Sequence, residues 1–228
     1  MAINRRGVAR AVGLAVLGLA LALAPFGEAE MRSGPIELSV AEKSQLLALA
    51  RASLRAHLAG LPAPSIDERA LPDALREPAA CFVTLTKVGA LRGCILDSFQ
   101  PHESMARNVA RNAVLAATVD SRFPTVRADE LDHLAIEVSV LGRPYAIPHA
   151  PPEVLVAALR PGVDGVILTT AYGTSTFLPQ VWEQIPDVET FLTELCRKQG
   201  APAQCWKTRD LLRVEIYQVN HFSEGDDE

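Results

Sequence analysis

The segment CFVTLTKVGALRGCILD, residues 81–97, constrains the fold more than any other stretch of this chain. Two short runs rich in β-branched and apolar residues flank Val88-Gly89, the pattern of a β-hairpin. A hairpin commits at least one strand pair to antiparallel geometry. A turn at Val88-Gly89 sets Cys94 opposite about Val83, so a Cys81–Cys94 bridge is not expected. The second arm also raises a chemical question. In an extended strand Arg92, Cys94 and Leu96 share one face, while Leu91, Gly93 and Ile95 share the other. A guanidinium beside a thiol favours the thiolate, which is the nucleophilic form of cysteine. Gly93 between them leaves room for a ligand or another backbone. The plainer alternative is that Cys94 is a small buried hydrophobe and Arg92 pairs with a carboxylate.

Elsewhere the pattern alternates helix and strand. Residues 40–60 carry apolar residues at helical spacing and stop at Gly60. A proline-rich ordered loop follows. PHESMARNVARNAVLAATV predicts a helix with Pro101 in its first turn. LAIEVSVLG predicts a strand with Leu134, Ile136, Val138 and Val140 on one face, and Glu137 and Ser139 on the other. PPEVLVAAL and DVETFLTELCRKQG predict helices, the second capped by Asp187 and stopped by Gly200, and TFLPQVWEQ predicts the end of a strand running into a helix. GVDGVILTT predicts a strand, and LLRVEIYQVNHFSE a single alternating one. These elements together predict an α+β fold, with a mixed β-sheet, flanking helices and a smaller lobe.

The first 30 residues stand apart. Arg5, Arg6 and Arg10 precede the apolar stretch VGLAVLGLALALA and a small-residue exit, the layout of a secretory signal. A translation start at Met31 explains the same segment equally well. Residues 31–222 then form one two-lobed domain, followed by an acidic tail at 223–228. Translation from Met31 implies a cytoplasmic protein, and the signal reading an exported one. The net charge of −5 and the 5% aromatic content argue against nucleic-acid binding. No membrane association is expected of the folded domain. Cys81, Cys94, Cys196 and Cys205 lack zinc-finger or CxxC spacing, and the histidines have no company at ligand spacing. No metal or cofactor is therefore expected. Export would permit disulfides, with Cys196 and Cys205 the nearest pair; a reduced protein explains the set as well.

Glu137, on the polar face of an otherwise apolar strand, is the expected partner of Arg92. His102 and His133 fall in solvated stretches. Arg107 and Arg111 lie i, i+4 on the helix after the motif and offer an anion patch or a solvated face.

The wording of FVTLTKVGALRGCI, DSRFPTVRADELDHLAIEVSVLGRPYAI, PGVDGVIL and STFLPQVWEQIPDVETFLTELCRKQG, in that order, resembles the AMMECR family, AmmeMemoRadiSam system protein A. The resemblance spans about Ser39 to Phe222. It implies the two-part α+β domain above and marks Leu91–Ile95 as the family signature. It also implies association with a radical-SAM enzyme and a Memo-type protein, with no established reaction. Two departures stand out. The family's LRGCIG reads LRGCIL here, with Leu96 in the glycine's place and Asp97 next, and DPRFPP reads DSRFPT. The candidate catalytic residues are thus Cys94, Arg92 and Glu137, with Gly93 and Asp97 as candidate ligand contacts. The residues fit an enzyme or enzyme subunit using a Cys/Arg site; the alternative is a non-catalytic small-molecule-binding or partner-docking protein.

Overall fold

The computed structural model describes residues 34–148, 151–209 and 211–225. The signal-like stretch at 1–30, Met31, His149 and the end of the acidic tail lie outside them. The long first helix, α1 (Val40–Leu58), opens on a reciprocal cap. The Ser39 hydroxyl accepts from Glu42 N, while the Glu42 carboxylate accepts from Ser39 N at 2.8 Å. Gly60 ends the turn at φ +69°, as expected of a glycine after a helix. A short helix α2 (Asp73–Arg76) breaks the proline-rich loop and leads into β1 (Cys81–Lys87) and β2 (Ala90–Ile95). Helix α3 (Met105–Thr118) begins later than its sequence suggests, because Ser104 caps it and leaves Pro101 outside. Then follow β3 (Leu134–Leu141), β4 (Tyr145–Ile147), α4 (Pro152–Ala158), β5 (Gly165–Thr170) and β6 (Gly173–Phe177). Helix α5 (Val188–Lys198), β7 (Leu211–Tyr217) and β8 (Val219–Ser223) complete the chain.

The α+β class stands, and the strand pairing refines it. There are two four-stranded sheets, ordered β2-β1-β3-β8 and β4-β7-β5-β6, and every pairing is antiparallel where a mixed sheet was expected. The stretch LLRVEIYQVNHFSE, expected as one strand, is two. Gln218 interrupts it, so that β7 lies in the second sheet and β8 in the first. The chain therefore crosses between the sheets there, and Gly142 N donates to Gln218 O at 2.8 Å to fasten the crossing.

Each sheet has its own helical cover. Helices α1 and α3 pack on the first sheet, burying Leu46, Leu54, Met105 and Val109 against Val83, Leu85, Ile136 and Val138. Helix α5 packs on the second, where Phe191 stacks on Trp182 with ring centroids 3.6 Å apart. The TFLPQVW stretch is half-buried around two interior residues, Pro179 and Trp182, the latter 3% exposed and held by a bond from Nε1 to Asp164 O at 2.7 Å. It forms a short 3-10 turn at Pro179–Glu183 in place of the expected helix, since two prolines within eight residues limit its extension. A third, smaller cluster of Ala80, Leu141, Ile167 and Tyr217 joins the remaining faces of the two sheets. Among the described residues no helix is long and apolar enough to cross a membrane.

Cys196 on α5 is bridged to Cys205, the first residue of the 3-10 turn Cys205–Lys207, and both are fully buried. Closing this nine-residue separation restricts the unfolded chain by about 2–3 kcal/mol in the loop-entropy account. Reducing agent is expected to lower the denaturant midpoint of the native chain, and not that of Cys196→Ala/Cys205→Ala, when unfolding is followed by tryptophan fluorescence.

Candidate functional site at the junction of the sheets

The hairpin's register decides what surrounds the signature. Thr84 lies opposite Cys94 and Leu85 opposite Gly93, but Thr86 lies opposite Leu91. Arg92 is left without a partner and forms a β-bulge, which breaks the face alternation read from sequence. This shifts Cys94 one position from the expected Val83. It also uncouples Arg92 from Cys94. The Arg92 guanidinium is engaged by Glu130, through Nη2 at 2.9 Å and Nε at 3.1 Å, and by Pro124 O at 2.7 Å. Glu137 is therefore not its partner. The same Glu130 carboxylate accepts from Lys87 Nζ at 2.9 Å, and these bonds, led by Arg92, hold its pKa at about 2.

Gly93 serves a backbone approach. A Cβ built there would stand 2.1 Å from Ala116 O, so α3 lies directly on β2. Nothing but glycine fits at this separation, and the room it leaves is taken by protein. Leu96, in place of the family glycine, packs with Phe82 and Phe99 against the cluster containing Ile167 and Tyr217. Asp97 forms an ion pair with Arg111, which also binds Glu103 at 2.6 Å, and Arg107 pairs with Glu68 at 2.6 Å. The helical arginines are thus matched by carboxylates. Asp97 also lines a cleft of about 660 Å³ with Phe99, Ile167, Thr169, Arg213 and Glu215.

Cys94 is half-buried and accepts a bond from Thr84 Oγ1 at 3.3 Å, on the face of β1 opposite the core residues Val83 and Leu85. Its backbone lies on the free edge of the sheet. There Cys94 N donates to Asp120 Oδ2 at 2.9 Å, and Cys94 O accepts from Arg122 Nη2 at 3.4 Å. Asp120 in turn grips Arg122 through Nε at 2.9 Å and Nη2 at 2.7 Å. The loop DSRF so supplies a donor and an acceptor where a neighbouring strand would otherwise stand. From the second sheet comes Lys198, whose Nζ donates to Thr176 O at 2.9 Å and lies 4.9 Å from the Phe177 ring centroid. Thr176 also bonds Tyr217 Oη at 2.8 Å.

Burial is the largest influence on the thiol and pushes its pKa up. The Thr84 bond, Arg122 and Lys198 pull it down, while Asp120 raises it. The cations acting on the thiol are thus Arg122 and Lys198, in place of the expected Arg92. Burial, followed by the charge of Arg122, lowers the pKa of Lys198, and Cys94 raises it. The Arg122 bonds hold Asp120 at about 2.

Glu137 does share a row with Cys94. Thr84 faces Cys94 on one side and Glu137 on the other, and Glu137 faces Ser223. This half-buried polar row crosses all four strands of the first sheet. His102 and His133 are exposed, and among the described residues no group of three or more His, Cys, Asp or Glu could hold a metal.

The AMMECR1 family model matches residues 47–222. The chain belongs to the AMMECR1 family. A protein of Methanothermobacter thermautotrophicus is 36% identical over 188 residues, covering 82% of this chain and 96% of that protein. One of Thermococcus gammatolerans is 38% identical, covering 67% and 76%. The crystal structure of the uncharacterized protein PH0010 from Pyrococcus horikoshii superposes with a TM-score of 0.74 at 33% identity, covering 82% of this chain and 94% of that one.

Two outcomes follow for stability. Gly93→Ala should cost about 1–3 kcal/mol, the usual range for overpacking, in a chemical-denaturation experiment. Asp120 and Glu130 have pKa values of about 2, below the ordinary 3.8 and 4.5. Between these values the unfolded chain binds more protons, so their stabilisation is present above the ordinary pKa and lost as pH falls toward 2. Glu130→Gln should flatten the acid limb of the stability–pH curve measured by circular dichroism.

Proposed function

We propose that this AMMECR1-family protein is an enzyme or enzyme subunit with Cys94 as its reacting group. It works at the junction of the two sheets, in a pathway shared with a radical-SAM enzyme and a Memo-type protein, as the family resemblance implies. The observation that carries this reading is the position of one thiol among four. Cys81 is fully buried and Cys196 is joined to Cys205, while Cys94 is half-buried and under the influence of the charges of Arg122 and Lys198. Arg122 takes the role first given to Arg92, and Glu137, the carboxylate of the polar row, lies two strands away. Burial disfavours the thiolate, so on this reading ionisation accompanies substrate binding or a change in the cleft. The Cys196–Cys205 bridge supports an exported, oxidising location over a cytoplasmic one.

The raised thiol pKa favours one alternative, a non-catalytic small-molecule-binding or partner-docking protein. Iodoacetamide alkylation, read by peptide mass spectrometry across pH, separates the two. On the catalytic reading Cys94 reacts in the folded protein while Cys81 does not. Its midpoint lies above the free-thiol value of about 8.5 and rises further in Arg122→Gln, because a charge that favours thiolate is removed. Cys94→Ser then abolishes complementation of a deletion strain. Full complementation by Cys94→Ser would instead establish the binding reading.

A further inference from the structure

A cavity of about 380 Å³ lies between α1, α3 and the proline-rich loop that follows α1. The loop is tied down at both ends. Leu61 N donates to Ala56 O at 2.9 Å, and at the far end the Glu68 carboxylate accepts from Arg107 Nε at 2.6 Å and from Ser104 Oγ at 2.9 Å. Between these anchors Leu61, Pro64 and Ile66 form one apolar wall, and Ala110, Val114 and Leu115 of α3 form the other. The cavity is therefore a built feature of the helical layer.

One buried polar group opens on it. Ser53, on the packed side of α1, lines the cavity and is 5% exposed. A serine within a helix commonly bonds back to a carbonyl one turn earlier. Among the described residues the Ser53 hydroxyl makes no hydrogen bond, so it keeps a donor and an acceptor to offer. The charged side chains of the lining are already spent: Arg107 pairs with Glu68, and Arg111 with Glu103 and Asp97. His57, the remaining ionisable neighbour, is exposed in the last turn of α1.

We propose that this cavity binds a neutral, largely apolar small molecule of the alcohol or phenol class, its hydroxyl paired with Ser53 and its apolar body between the loop and α3. Charge selects neutrality, because an anion would compete with Glu68 or Glu103 for an arginine and a cation would stand against both arginines. Ser53 selects a hydroxyl, which can donate and accept in its turn. Size agrees. An apolar cavity of about 150 Å³ takes a benzene ring, so this one has room for two fused rings. The cavity belongs to the helical side of the first sheet and Cys94 faces away from that core, so the inference stands apart from the proposed thiol chemistry.

The test is a nuclear magnetic resonance titration of the full chain with 1-naphthol at pH 7, with 1-naphthoate run in parallel. Naphthol should bind saturably and shift the Ser53, Ala110 and Val114 amides, and naphthoate should bind at least tenfold more weakly. Ser53→Ala should keep the fold, since alanine is the best helix former, and weaken naphthol about threefold to tenfold, the range of one neutral hydrogen bond. Val114→Phe, which adds bulk to the cavity wall, should weaken it at least tenfold. Val119→Phe, the same change at an exposed position ending α3, should leave it unchanged. Absence of saturable naphthol binding, affinity in Ser53→Ala equal to or above that of the native chain, or naphthoate bound as tightly as naphthol would each overturn the proposal. Shifts confined to residues outside α1, α3 and the loop at 61–66 would overturn it equally.

Discussion

The Asp120 carboxylate is the interaction on which the junction depends. It accepts from the Cys94 peptide on one side and from Arg122 on the other, and Arg122 returns a bond to the Cys94 carbonyl. An edge strand presents peptide groups that need partners, and a buried unpaired one costs about 1–3 kcal/mol. Here the partners are side chains of a loop. The same device recurs at Cys81, at the start of the adjoining strand. There Asn108 accepts from Cys81 N at 3.1 Å and Asn112 donates to Cys81 O at 2.8 Å. Both arms of the hairpin thus have a cysteine whose peptide is held by side chains. The two differ in what the thiol meets: Cys81 faces the core, and Cys94 faces charge.

The position of the site follows from how the sheets are joined. The chain crosses from the second sheet to the first at Gln218, and Tyr217 beside it fills the space between them. Gly165 permits this, since a Cβ there would stand 2.5 Å from the Tyr217 ring. Leu96, where the family has glycine, adds apolar surface to that filling. The thiol lies two residues earlier, near the end of β2, where the apolar filling gives way to the polar row. A thiol at such a boundary is desolvated by one neighbour and acted on by charges from two independent frameworks. This is why burial and cations act on Cys94 in opposite directions.

Much of the fold was legible because periodicity reports it directly. The alternation of Leu134 to Val140, the Asp187 cap and the Gly200 stop all stand where their local chemistry puts them. The hairpin was legible, but the bulge at Arg92 was not, because no residue type marks a one-residue insertion in an otherwise regular strand. That single step displaced the register and broke the assumed Arg92–Cys94 adjacency. It also removed the Arg92–Glu137 pair, Glu130 being supplied by the 3-10 turn Ala128–His133, 38 residues away in sequence. The true neighbours were partly visible. Asp120 and Arg122 sit in the DSRF stretch, where an acid and a base two apart in a loop suggest a local pair. Lys198 carried no signal at all. Its role depends on how the second sheet packs on the first, which is a property of tertiary structure alone.

The most direct measurement of this account is the proton resonance of the Cys94 amide as a function of pH. An amide bonded to a carboxylate is deshielded while the carboxylate is charged. The account predicts a downfield Cys94 N–H whose shift titrates with the Asp120 carboxyl at about 2, in step with Arg122 Nε. A Cys94 amide that is not shifted, or that titrates at the ordinary aspartate value of 3.8, would show that Asp120 does not hold the edge strand, and the junction described here would not exist.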